Sequence, residues 1–183
     1  MRELMFDTSV YGELVDDESA LIRIGEQVNV SFFVFGSSTV RQELEETPAI
    51  TLVSRGKFKG LNLRELLLRV YRLFVEESGG EVLATDLVEV LALRYRLECK
   101  SSSMGKQMLN DFRVVASASL HNVGLFVSAD KRQVSKGYSA VYLAVNITYQ
   151  METPELVLYA DFKASPGRYS EEGNEAEEKE GAK

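Results

Sequence analysis

The sequence predicts an α/β fold of three layers, with helices on both faces of a mostly parallel central sheet. Three observations carry this. Apolar runs of strand length at 3–6, 27–35 and 125–127 alternate with stretches of helical periodicity. Two of those runs stop at or near an aspartate, Asp7 and Asp130. The order strand, helix, strand, helices, strand, strand is the one that parallel strands joined by crossover helices require.

The run ELMF at 3–6 reads as strand one, with Asp7 directly after it. TSVYGELVDD, residues 8–17, can start a helix with Thr8 or Ser9 near its cap, although Gly12 weakens it. Gln27 to Phe35 is β-branched and aromatic with no breaker before Gly36, so it reads as strand two, buried on both faces. In GSSTVRQELEET, Ser37 or Ser38 caps a helix bearing Val40, Glu43 and Leu44, which sets Glu43 about two turns into the helix that leaves strand two. Pro48 ends that helix, and Ala49 to Lys59 is expected to be a loop or short extended piece carrying Arg55, Lys57 and Lys59.

From Asn62 the pattern is helical: Leu63, Leu66, Leu67, Val70, Tyr71 and Phe74 share one face, Asn62 and Glu65 form a capping box, and Gly79-Gly80 closes the helix. A second helix, Thr85 to Leu97, presents Val88, Leu91, Ala92 and Tyr95. The two are expected to form a helical hairpin over about 62–97. Lys100 to Gly105 reads as a flexible loop. The stretch Asn110 to Lys131, NDFRVVASASLHNVGLFVSADK, then gives a helix capped at Asn110 and Asp111, a turn at Gly124, and a strand Leu125 to Val127 that ends on Ser128 and Asp130. KRQVSKG is turn-like, Ser139 to Thr148 is expected to be a further strand, and Glu155 to Tyr159 a short last one.

At 183 residues the chain suits one domain, expected over 1–166, followed by a disordered acidic tail at 167–183. Its single cysteine, Cys99, and single histidine, His121, cannot make a disulfide or a Cys/His zinc site within one chain, so any metal ligands must be carboxylates. Residues 171–183 hold six Glu and two Lys, and removing their −4 from the formal −7 leaves −3 for the rest. No apolar run reaches membrane-spanning length and no signal-peptide core is present, so a cytoplasmic protein without membrane contact is expected. Neither G-x-x-x-x-G-K nor G-x-G-x-x-G occurs, which argues against a phosphate-binding loop or a dinucleotide fold.

Four acids stand apart: Asp7, Glu43, Asp111 and Asp130. Each has a structural explanation as a cap, a solvated helix residue or a turn former. Three of them fall where strand ends or the following helix turns meet the carboxyl edge of a parallel sheet, the edge at which such folds bind ligands, and Asp111 can swing in from a neighbouring helix. Gathered carboxylates repel one another unless something positive joins them, and Mg²⁺ or Mn²⁺ suits an all-oxygen set. Such an ion can activate water and neutralise charge on a phosphodiester. Arg41, Arg113, Lys131, Arg132 and Lys136 lie close to these acids in sequence and could contact phosphates. His121 sits near a helix end, where the helix dipole explains it without a catalytic role.

FDTSVYGEL at 6–14, SSTVRQEL at 37–44 and NDFRVVASASLHNVGLFVSADK resemble the PIN domain family, which includes VapC-type toxin ribonucleases. The end of the chain, VNITYQMETPELVLYADFK, also resembles some PIN chains, whereas Thr47 to Cys99 agrees only in being helical. The resemblance implies a PIN-like fold in which Asp7, Glu43, Asp111 and Asp130 bind Mg²⁺ or Mn²⁺, with Ser9 and Ser128 supporting them. It implies RNA cleavage by a metal-activated water, by a toxin-like or an RNA-processing enzyme. A toxin would have an antitoxin partner, for which the 62–97 helices are the natural surface, as they are for a homodimer. The competing expectation is a PIN-like fold that is catalytically silent and serves RNA binding or assembly. An aspartyl-phosphate phosphatase is set aside, because that chemistry wants an acid two residues after Asp7 and position 9 is Ser.

Overall fold

Gly36 shows how closely the helices lie on the sheet: a Cβ there would stand 2.2 Å from the Tyr71 hydroxyl and 2.7 Å from Val75 Cγ1. The computed structural model describes residues 1–52, 60–99 and 106–170. Among these, strands β1 (Arg2–Phe6), β2 (Phe32–Ser37), β3 (Gly80–Val82), β4 (Leu125–Ser128) and β5 (Glu155–Leu158) form one sheet in the order β3-β2-β1-β4-β5. Every neighbouring pair is parallel, with Met5 opposite Phe35 and Phe6 opposite Val127. Helices α1 (Thr8–Asp16), α3 (Ser38–Glu46) and α4 (Leu63–Val75) pack on one another, with α2 (Glu18–Gly25) beside α1. Helix α5 (Asp86–Glu98) packs on α6 (Lys106–Leu120) and α7 (Lys136–Thr148). The three-layer α/β arrangement therefore matches the expectation, with a sheet that is parallel throughout.

Aromatic side chains fill both interlayer spaces. Phe6 of β1 meets Tyr11, Phe74 and Phe162 with ring centroids 6.1, 6.1 and 5.8 Å away. Tyr95, Phe112 and Tyr142 bring α5, α6 and α7 together, the closest pair, Tyr95 and Tyr142, at 4.9 Å. All of these rings are buried, and rings of this size supply most of the apolar area a small core can hide.

Several expected elements are corrected. Strand two begins at Phe32, not Gln27, because residues 27–31 close a tight turn: Asn29 takes a left-handed φ of 61° and the Ser31 hydroxyl donates to Gln27 Oε1. The strand also continues through Gly36, and its burial alternates, so only one face is fully covered. The helical hairpin over 62–97 does not form. Gly80, with φ 83°, turns the chain into β3, which pairs with β2 and sends α4 and α5 to different neighbours. Asn110 and Asp111 do not cap a helix, since α6 already runs from Lys106.

Residues 139–148 are helix α7, not strand. Tyr138, Val141, Tyr142 and Val145 recur at helical spacing and face the core, a period that outweighs their β-branched and aromatic composition. Residues 167–170 belong to the ordered body: a 3-10 turn at Pro166–Tyr169 follows α8 (Tyr159–Ala164), and Tyr169 lies against Phe162 at 5.8 Å. The expected loop residues 53–59, the Lys100 to Gly105 loop and the acidic residues 171–183 lie outside the described residues. Among the described residues no helix is long and apolar enough to cross a membrane.

Candidate functional site

The chain steps from β1 to β2 to β3 in one direction and resumes with β4 and β5 on the other side of β1. The order thus reverses between β1 and β4, and at such a switch point the helices on opposite faces splay apart and leave a crevice at the strands' carboxyl ends. An open cavity of about 540 Å³ lies at this place. Asp7, Glu43, Asp111 and Asp130 all line it, together with Thr8, Ser9, Asn110 and Gln133.

Asp7 follows β1 directly and is nearly buried, at 4% exposure. Its Oδ2 accepts from the Ser9 hydroxyl at 2.5 Å and the Ser128 hydroxyl at 3.0 Å, and the Ser9 backbone N–H lies at 3.4 Å as the first turn of α1 is capped. Each serine also accepts from the segment after β4: Ser9 Oγ from the Ala129 N–H at 3.1 Å, Ser128 Oγ from the Asp130 N–H at 3.0 Å. The two hydroxyls thus fix Asp7 and the start of the Asp130 turn to each other.

Glu43 reaches the cavity from α3. Thr8 Oγ1 donates to its Oε2 and Asn110 Nδ2 donates to its Oε1 at 2.8 Å. Asp111 comes from α6, with its side chain 13% exposed. Burial, and then the charge of Asp7, push its carboxyl up to about 7, while Arg132 opposes the shift. Asp130 receives the Arg132 N–H on Oδ1 at 2.8 Å, a turn-forming bond, and Arg132 Nη2 on Oδ2 at 2.9 Å. The same Nη2 lies 3.4 Å from Asp111 Oδ2. Arg132 therefore stands between two of the four carboxylates. Among the described residues no three His, Cys, Asp or Glu side chains are gathered closely enough to hold an ion as they stand.

No family model and no curated protein matches the chain. Solved structures do. A chain in the crystal structure of VapBC2 from Rickettsia felis, bound to a DNA fragment from its promoter, superposes with a TM-score of 0.53 at 14% identity, covering 86% of this chain and 98% of that one. A chain in the crystal structure of DNA-bound VapBC from Salmonella typhimurium does so with a TM-score of 0.52 at 17% identity and the same coverage. The fold is PIN-like.

In this PIN-like frame the four acids arrive from four different elements, and the two serines act on Asp7 as supports. The basic residues are placed differently from one another. Arg132 faces the carboxylates. Lys131 and Lys136 are exposed. Arg41 pairs with Glu45 at 3.5 Å and Glu81 at 3.4 Å and does not line the cavity. Arg113 forks onto Glu89 at 2.7 and 2.9 Å and donates to Asn110 Oδ1 at 2.6 Å, so its guanidinium serves the protein's own framework rather than the expected phosphate contact. His121 is exposed near the far end of α6, with Nδ1 3.0 Å from the Ser117 carbonyl, and does not line the cavity.

Sequence reasoning passed over Thr8, Asn110 and Gln133. Thr8 and Asn110 each adjoin an assigned acid, and Asn110 stands three residues before Arg113 on one helix face, a spacing at which side chains meet. Gln133 is 3% exposed and its Oε1 has no hydrogen-bond partner among the described residues. Nothing in its local sequence distinguishes it from an ordinary turn residue.

Proposed function

We propose that the chain is a metal-dependent endoribonuclease, hydrolysing RNA phosphodiester bonds at the Asp7, Glu43, Asp111 and Asp130 cavity, in a toxin-like or RNA-processing role. One observation carries the reading: four acids from four separate elements line a single cavity at the switch point of a PIN-like sheet. Burying the Asp111 carboxylate, and then setting it beside Asp7, disfavours its charged form, and a bound cation offsets that cost.

The donor set fits Mg²⁺ or Mn²⁺. It consists of hard oxygens, and the buried, unpartnered Gln133 Oε1 adds an amide oxygen at the same cavity. Asp7, Glu43, Asp111 and Asp130 would hold the ion, after Asp111 and Asp130 exchange their contact with Arg132 for it. Bound there, the metal would supply charge neutralisation and an acidified water. The chain's own contribution is orientation: Ser9 and Ser128 fix Asp7, and Thr8 and Asn110 fix Glu43. Arg132, once released, is a cation at the cavity for a substrate phosphate, and exposed Lys131 precedes it in the chain.

A toxin-like role also implies a protein partner, since both solved neighbours are VapBC complexes. Leu87, Val90 and Leu97 of α5 and Leu143 and Ile147 of α7 are large exposed apolar residues available to such a partner or to a second copy. A catalytically silent RNA-binding or assembly module is the second reading, favoured by Arg132 where it neutralises Asp111 and Asp130. Cleavage of a mixed RNA pool separates the two: activity with Mn²⁺ that is lost with EDTA and in Asp7→Asn supports the nuclease. Equal outcomes in all three arms exclude it.

A further inference from the structure

Glu43 is held by a chain of side chains that begins on the far side of α6. Glu89 on α5 accepts both prongs of the Arg113 guanidinium, Nε at 2.7 Å and Nη2 at 2.9 Å. Such a fork fixes the guanidinium plane as well as its position. The remaining prong, Nη1, donates to Asn110 Oδ1 at 2.6 Å. That bond decides which way the amide faces, because flipping it would set an N–H₂ against the guanidinium and an oxygen against a carboxylate. Asn110 Nδ2 is thereby aimed at Glu43 Oε1, 2.8 Å away, while Thr8 holds the other oxygen.

We propose that Asn110 is a positioning residue for Glu43, a neutral spacer that carries orientation but no charge from the Glu89–Arg113 ion pair to the cavity. The consequence for catalysis rests on the nuclease reading above. The arrangement has a clear electrostatic logic. An arginine placed directly on Glu43 would fix it equally well and would also cancel its charge, leaving it a poor ligand for a cation. An aspartate at 110 would set a second carboxylate oxygen against Oε1 and push the glutamate away. An asparagine donates one hydrogen bond and accepts another with no net charge, so Glu43 is held while the Arg113 charge is answered by Glu89.

The test uses the full chain. In Asn110→Ala, Mn²⁺ affinity by calorimetry and kcat are each expected to fall about 10-fold, the scale of lost support behind a metal ligand, with KM for RNA little changed. Arg113→Ala is expected to produce a similar loss, and the double variant is expected to be no worse than Asn110→Ala alone, because Arg113 acts through Asn110. Arg113→Lys, which keeps the charge but not the fork, covers the case in which the alanine variant fails to fold. Its expected Mn²⁺ affinity lies between wild type and Asn110→Ala. The side-chain amide resonance of Asn110, read without metal or RNA, should shift in Arg113→Ala and in Glu89→Gln.

Additive losses in the double variant, unchanged Mn²⁺ affinity in Asn110→Ala, or an unmoved amide resonance would each overturn the positioning chain. A wild-type protein that neither binds Mn²⁺ nor cleaves RNA overturns the nuclease reading instead, and the resonance still decides whether the chain operates.

Discussion

The Ser128 hydroxyl donates to Asp7 Oδ2 at 3.0 Å, joining the carboxyl ends of β4 and β1 across 121 residues of sequence. Ser128 Oγ in turn accepts from the Asp130 N–H at 3.0 Å. Ser128→Ala therefore removes one donor from a nearly buried carboxylate and leaves a backbone N–H without its partner. A loss of about 1–2 kcal/mol is expected, read as a lower urea midpoint at unchanged m-value. Ser9→Ala should cost a similar amount. Because both hydroxyls serve Asp7 Oδ2, their combined effect should depart from additivity, which a double-mutant cycle measures.

Asp111 gives the pH dependence. Its folded carboxyl is raised to about 7, above the unfolded value near 3.8, so the neutral form is the one that folding favours. This contribution to stability is present below about pH 4 and is lost as pH rises through 7. The metal-free protein should therefore lose stability between pH 4 and 8, and Asp111→Asn should flatten that decline in a series of melting curves. On the proposed nuclease reading, metal binding and RNA cleavage use the carboxylate and should run the other way, rising through pH 7. A cleavage profile already flat by pH 5 would contradict this assignment.

What the sequence made legible follows from which signals are local. A strand ending on an acid is a local pattern, and Asp7 and Asp130 were readable for that reason. Glu43 was readable through the Ser37 cap and the helix period that follows it. The failures came where a local signal was shared by two structures. Gly79-Gly80 reads as a helix stop, but the helix already ends at Val75 and Gly80 opens a three-residue strand that only its partner β2 can specify. The segment at 139–148 has strand composition and helix period, and packing of Tyr142 between Tyr95 and Phe112 decides in favour of the period. Asn110 and Arg113 announce nothing alone, because their role exists only once α3, α5 and α6 are brought together.

Arg132 tests whether the acids sense one another as placed. Its Nη2 lies 2.9 Å from Asp130 and 3.4 Å from Asp111, and it opposes the upward shift of Asp111. Arg132→Gln should therefore move the pH midpoint for Mn²⁺ binding upward, as followed by calorimetry across pH. Global stability should change by no more than about 0.5 kcal/mol, because the arginine is half exposed and solvent screens the pair. A downward or absent shift in midpoint would mean that the guanidinium does not face the two carboxylates in solution.

Two buried tyrosines make opposite predictions for the same deletion of a hydroxyl. Tyr95 Oη donates to Asn146 Oδ1 at 2.6 Å and lies 3.2 Å from Ser119 Oγ, and Asn146 in turn donates to Ser119 and Thr153 at 3.0 Å. In Tyr95→Phe the asparagine oxygen keeps its burial and loses its donor, so destabilisation of about 1–3 kcal/mol is expected. Tyr11 Oη is equally buried but has no hydrogen-bond partner among the described residues, and burial together with Asp7 already raises its phenol well above the ordinary range. Tyr11→Phe keeps the ring that packs on Phe6 at 6.1 Å and Tyr71 at 5.4 Å, and removes only the unpaired polar atom. Its stability in urea should equal or exceed wild type, because a buried hydroxyl without a partner costs folding free energy. If Tyr11→Phe were instead the more damaging of the two, its hydroxyl must have a partner in solution, and the floor of the cavity beneath Asp7 would be where to find it.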